Sequence, residues 1–131
     1  MLAIYHDASE IITGDMPTPI KYHDENIIKA YKQVEKAANE SLFSMLPNDI
    51  AAQYQDYFNK NQDDSELWKL VKAADKLSAL IKCVEEEKSG NTEFIKAKQS
   101  IMESIKVLNM QEVELFMDEF FEPFTKTLDE Q

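Results

Sequence analysis

Leu67-Trp68-Lys69-Leu70-Val71-Lys72-Ala73-Ala74-Asp75-Lys76-Leu77-Ser78-Ala79-Leu80-Ile81-Lys82-Cys83-Val84 is the stretch that settles the fold class, together with the stop signal Ser89-Gly90-Asn91 that follows it. Leu67, Leu70, Val71, Ala74, Leu77, Ile81 and Val84 return at helical spacing, so one flank of a long helix is apolar and has to be buried. Downstream, Phe94 to Leu108 is a further amphipathic helix. Val113, Phe116, Met117, Phe120, Phe121, Phe124 and Leu128 predict another, with a kink or early break at Pro123. Upstream, Asn48 to Phe58 reads as a shorter, more polar helix, and Asn59 to Asp64 as a loop holding several candidate caps. Before them, Asp24 is a good N-cap for a long helix carrying Ile27, Tyr31, Val34, Ala38, Leu42 and Met45 up to Pro47. No strand pattern competes, and 2 Gly and 4 Pro are too few for the turns of a sandwich or barrel. The expected fold class is all-α, a compact helical bundle. A chain of 131 residues is one domain's worth, so residues 1–131 are expected to form a single domain.

The charge balance restricts the partners. Asp and Glu number 25 against 14 basic residues, for a formal charge of -11, and a surface of that sign repels nucleic-acid polymers. Every basic residue is Lys, so no guanidinium fork is available to grip a phosphate or carboxylate. Cys83 is the single cysteine and is assigned to packing, which suits a reducing compartment. No apolar run reaches the roughly 18 residues of a membrane span, and Met1 to Asp7 lacks a basic leader, so the expectation is a cytoplasmic protein with no membrane partner.

The start of the chain is unusual. Leu2, Ala3, Ile4, Ala8, Ile11 and Ile12 suggest a substantially buried helix that no N-cap precedes. Thr13-Gly14-Asp15 is its stop, and Met16-Pro17-Thr18-Pro19 a stiff, extended, ordered loop. Both histidines occur in the same tripeptide, Tyr5-His6-Asp7 and Tyr22-His23-Asp24. In the second, Asp24 is a helix cap and His23 a loop residue. In the first, the pair sits among apolar residues, and Glu10 falls one turn on, on the face of His6. An imidazole nitrogen beside carboxylates is a donor set that Zn, Mn, Fe and Co accept. An exposed edge with an i,i+4 hydrogen bond explains the same pattern. Asp75, inside the apolar run and among Ala73, Ala74, Ser78 and Ala79, is a second anomaly, since a buried carboxylate pairs or binds a cation. A solvated Asp75 neutralised by Lys72 and Lys76 is the alternative.

These residues carry a resemblance. Tyr5-His6-Asp7-Ala8-Ser9-Glu10, Thr13-Gly14-Asp15-Met16-Pro17-Thr18-Pro19-Ile20-Lys21-Tyr22 and Lys72-Ala73-Ala74-Asp75-Lys76-Leu77 are similar in sequence and spacing to bacterial 5'-deoxynucleotidases of the HD-domain phosphohydrolase superfamily. The resemblance extends in weaker form over nearly the whole chain, and the Thr-Gly-Asp-x-Pro-Thr-Pro segment is its specific part. It implies an HD-type helical domain holding one divalent metal ion, Co, Mn or a similar transition metal. His6, Asp7 and Asp75 would be its ligands, Glu10 the catalytic residue that orients or deprotonates a water, and Asp15 a contact to the sugar 3'-hydroxyl. The implied reaction is hydrolysis of a deoxyribonucleoside 5'-monophosphate, a small-molecule substrate, by a homodimer. The family's first histidine, and an arginine and a tryptophan that engage phosphate and sugar, have no counterpart here; they would precede Met1. The expectation is therefore an N-terminally truncated, partial domain whose own activity is impaired. Two other readings stay open: an HD-type hydrolase of another phosphomonoester or a signalling nucleotide, and a catalytically silent helical module that docks through its phenylalanine-rich end.

Overall fold

In a computed structural model, which describes residues 1–21, 23–58 and 65–130, helices account for the regular structure and the described residues contain no strand. The loop expected over 59–64 lies outside the described residues, as does Tyr22. In chain order the helices are α1 (Leu2–Tyr5), α2 (Glu10–Thr13), α3 (Thr18–Lys21), α4 (Glu25–Ser44), α5 (Asn48–Phe58), α6 (Ser65–Lys88), α7 (Ile95–Leu108), α8 (Gln111–Glu119) and α9 (Glu122–Thr125). A 3-10 turn spans Leu128–Glu130. Contacts divide the chain into two units, Met1–Trp68 and Lys69–Gln131, with the boundary inside α6.

In the first unit α4 is the element on which α2, α3 and α5 pack, while α1 packs on α5. Asp24 caps α4 as its sequence position requires: one carboxylate oxygen accepts from the amides of Asn26 at 2.7 Å and Ile27 at 3.0 Å. Tyr31 and Ala38 form the buried side of α4, whereas Val34 and Met45, expected on that side, are exposed. Pro47 ends nothing that had not already stopped at Ser44; its carbonyl instead accepts from Ile50 and Ala51 and so starts α5. Aromatic rings fill the space between α1, α4 and α5. Tyr5 lies edge-on to Tyr54 at 5.7 Å, stacks on Tyr57 at 6.2 Å and leans on Phe58 at 5.4 Å; Phe58 in turn meets Phe43.

In the second unit α6 ends in a Schellman turn. Gly90, at φ +84°, lets its own amide reach the Glu87 carbonyl and the Asn91 amide reach that of Glu86. Ala73, Leu77 and Leu80 of α6 join Ile105 of α7 and Val113 of α8 in the core, with Met102, Phe116, Met117 and Phe121 packed around them. The buried stripe of α6 is thus centred on Ala73, Leu77, Leu80 and Val84; Leu67, Leu70 and Ala74, expected to be buried, are exposed. Cys83 is buried, in keeping with a packing role. Asn109, in the left-handed region at φ 48°, caps α7, and the last helical run breaks at Phe120 ahead of Pro123.

Leu80 is 0% exposed and Val107 82% exposed, and this contrast fixes an expectation for stability. Leu80→Ala should cost about 2–5 kcal/mol in urea unfolding, through lost transfer energy and an unfilled cavity. Val107→Ala should stay within about 0.5 kcal/mol of wild type.

Candidate active site

The opening helix is not continuous. Between α1 and α2, residues 6–9 form turns whose amides bond to carbonyls three residues back: Ala8 to Tyr5, Glu10 to Asp7, Ile11 to Ala8. The cause is a side chain. The Ala3 carbonyl, which in an α-helix would accept from the Asp7 amide, lies 2.9 Å from His6 Nδ1. The segment is also far more open than its apolar residues suggest, with Ile4, Ile11 and Ile12 exposed and only Ala8 and Ser9 buried. Four-residue helices present too short a stripe to bury both sides.

That hydrogen bond sets the chemistry of the imidazole. A carbonyl can only accept, so Nδ1 carries the proton and Nε2 is the atom left to face the site. Nε2 is buried and has no hydrogen-bond partner among the described residues, although Asp7 Oδ2 lies 2.8 Å away. The two atoms are close without being counted as a hydrogen bond. An imidazole lone pair and a carboxylate oxygen held side by side in this way suit a shared cation. Two ligands at right angles, about 2.1 Å from an ion, lie about 3.0 Å apart. The residues present therefore fit a divalent metal. Tyr5, locked in its aromatic cluster, is the neighbour that fixes where His6 can sit. Sequence reading missed that support, because tyrosines on a polar-looking helix give no periodic signal.

Glu10 is half-buried at the start of α2, and its carboxyl is held above its ordinary value. Burial is the main cause; the negative charges of Asp7, Asp15 and Glu35 add to it and the Lys21 ammonium opposes it. A carboxyl so placed keeps a proton longer than a solvated one and can exchange it with a bound water. The i,i+4 relation to His6 expected from a regular helix does not apply, since the turns at residues 6–9 intervene.

Asp15 is exposed and follows Gly14, whose φ of +70° turns the chain away from α2. The extended segment expected over 16–19 is shorter than that, because Pro17 accepts from the Ile20 and Lys21 amides and α3 begins at Thr18. Pro19 is tolerated there because a first-turn residue needs no amide hydrogen bond. α4 backs the segment: Lys21 Nζ donates to Glu35 Oε1 at 2.9 Å and lies 4.6 Å from the centre of the Tyr31 ring. The Tyr31 hydroxyl is 3.5 Å from the Gly14 carbonyl.

Asp75 belongs to the second unit, in mid-α6. Its burial, inferred from the apolar run, is not found. The side chain is exposed, about 200° round the helix from Ala73 and Leu77, although Val71, one turn before it, is buried. The alternative, a solvated Asp75, is what the structure has, but without the lysine neutralisation: Lys76 Nζ donates to Ser104 Oγ at 2.9 Å, Lys72 is exposed, and Asp75 makes no ion pair among the described residues. His23 is exposed ahead of the Asp24 cap, as a loop residue should be.

Comparison with known proteins adds a family. Residues 1–124 match the model of the family described as 5'-deoxynucleotidase YfbR-like. The chain is 43% identical over 130 residues to the 5'-deoxynucleotidase yfbR of Photorhabdus temperata. It is equally similar to the 5'-deoxynucleotidases of Yersinia pestis (strain Pestoides F) and Yersinia pseudotuberculosis (serotype O:3, strain YPIII). The matched region is 99% of this chain and 66% of each relative, so the chain spans just under two thirds of the length of the curated relatives it matches.

The raised Glu10 carboxyl predicts a pH signature. The fold holds the Glu10 proton more tightly than the unfolded chain does, so stability is full below the ordinary value of 4.5 and declines as pH rises through the higher folded value. Glu10→Gln removes the ionisation. It should raise the melting temperature at neutral pH and leave it unchanged at acid pH, as followed by circular dichroism.

Proposed function

The chain belongs to the YfbR-like 5'-deoxynucleotidase family, and we propose from that premise that the protein hydrolyses deoxyribonucleoside 5'-monophosphates to nucleoside and inorganic phosphate, using a divalent metal ion. The observation that carries the reading is the His6 and Asp7 pair, an unpartnered imidazole Nε2 set beside a carboxylate oxygen. Asp75 is assigned as the third ligand. Its exposed position, off the buried stripe of α6 and free of ion pairs among the described residues, leaves the carboxylate available for that task. Co²⁺ or Mn²⁺ suits a mixed imidazole and carboxylate set. Such an ion, when bound, polarises a phosphoryl oxygen, acidifies a water and offsets the charge of the substrate.

The side chains do the rest. His6 is held by the Ala3 carbonyl in the tautomer that presents Nε2. Asp7 offers its carboxylate alongside. Glu10 orients the attacking water and takes its proton, a role suited to a carboxyl that burial raises above its ordinary value. The phosphoryl group is transferred to that water, and the proton ends on the departing 5'-oxygen of the nucleoside. Asp15 accepts a hydrogen bond from the sugar 3'-hydroxyl, which favours substrates with that group free. A homodimer in the cytoplasm is the assembly and setting that go with this reading; no helix among the described residues is long and apolar enough to cross a membrane.

The test combines metal analysis with turnover. After dialysis against Mn²⁺ or Co²⁺ the chain is expected to hold one ion and to release phosphate slowly from thymidine 5'-monophosphate. His6→Ala and Asp75→Ala should abolish both, each losing more than about 100-fold in metal affinity or activity. Metal content untouched by either substitution would contradict the proposal.

A further inference from the structure

α4 takes hold of the segment between α2 and α3 at both of its ends. Tyr31 and Glu35 are one turn apart on α4 and share a face. Tyr31 is 6% exposed, so its ring is fixed, and its hydroxyl faces the carbonyl of Gly14, the residue just before Asp15. At the far end, Glu35 Oε1 accepts from Lys21 Nζ at 2.9 Å, and the same ammonium lies over the Tyr31 ring. The side chains of Lys21 and Glu35 are 26% and 19% exposed. An ion pair this sheltered is screened less by salt than a surface pair, and the ring beneath it adds a cation–π contact. The hydroxyl contact to Gly14, at 3.5 Å, is long and gives alignment more than strength.

What lies between the two anchors needs them. Residues 14–17 have no helix or strand of their own, Gly14 sits at φ +70°, and Asp15 is exposed. A carboxylate on a loose loop would have to be ordered each time a ligand bound, and that ordering would be subtracted from affinity. We propose that Tyr31 and Glu35 are positioning residues that clamp the Gly14–Lys21 segment and so pre-set Asp15 for the sugar of the substrate. This rests on the hydrolase reading above. Neither residue touches the reacting atoms; they act through Gly14 and Lys21.

A positioning role of this kind affects one part of the ligand only. It should weaken recognition of the nucleoside and leave capture of phosphate and metal alone. The experiment is calorimetric titration of the 131-residue chain, loaded with Mn²⁺, with two probes: thymidine 5'-monophosphate and inorganic phosphate. Glu35→Gln, close in shape and still polar, is expected to weaken the nucleotide about 10-fold through the lost ordering, with phosphate bound no more weakly and Mn²⁺ stoichiometry unchanged. Tyr31→Phe keeps the ring under the ammonium and loses only the long hydroxyl contact, so its effect should stay under about 3-fold. Circular dichroism checks that each variant is folded, and Lys21→Gln, which breaks the same ion pair from its other side, carries the test if Glu35→Gln is not folded. Equal weakening of both probes, or no weakening of the nucleotide, overturns the clamp while leaving the hydrolase reading intact. A wild-type chain that binds neither probe in the presence of Mn²⁺ overturns the hydrolase reading, and the clamp with it.

Discussion

One hydrogen bond shapes the start of this protein: the His6 imidazole, through Nδ1, takes the Ala3 carbonyl that the backbone of a regular helix would have used. Three consequences follow from it. The helix stops at Tyr5 and tightens into turns through Ser9. The tautomer of the ring is fixed, so Nε2 is the atom presented. Asp7 is swung to the position where its carboxylate lies beside that nitrogen, without hydrogen-bonding to it. A helix-breaking side-chain contact and the placing of an imidazole beside a carboxylate are here the same event.

The surrounding charge suits the cation proposed for this unit. Asp7, Asp15 and Glu35 all add to the negative potential at Glu10, with Lys21 as the opposing charge. A phosphomonoester carries negative charge itself, and no arginine exists anywhere in the chain to meet it. Against a net charge of -11, a divalent ion is the most economical source of attraction for such a substrate. Lys21, paired to Glu35 and lying over Tyr31, instead serves the loop.

Much of the helical layout was legible in the sequence, since α4, α5, α6 and α7 each combine an apolar period with an identifiable boundary. Asp24 at one start and Gly90 at one end are local signals, and local signals survive folding. The faces were less legible. A period of apolar residues on α6 admits two neighbouring stripes, and which one is buried was decided by Ile105 and Val113, far along the chain. That choice also decides Asp75, exposed because the stripe runs through Ala73 and Leu77. The candidate residues His6, Asp7, Glu10 and Asp15 stood out as residue types, but their arrangement did not. It depends on a side chain displacing a backbone hydrogen bond and on the rings of Tyr54, Tyr57 and Phe58 holding Tyr5, neither of which leaves a periodic trace.

The most direct test of this account reads the two ring nitrogens of His6 by long-range proton–nitrogen NMR, with exposed His23 as the internal reference. In metal-free protein the account predicts a proton on Nδ1. On addition of Zn²⁺ the Nε2 resonance of His6 should shift strongly, Nδ1 should stay protonated, and His23 should not respond. A His6 ring bearing protons on both nitrogens throughout, with no response to the ion, would contradict it.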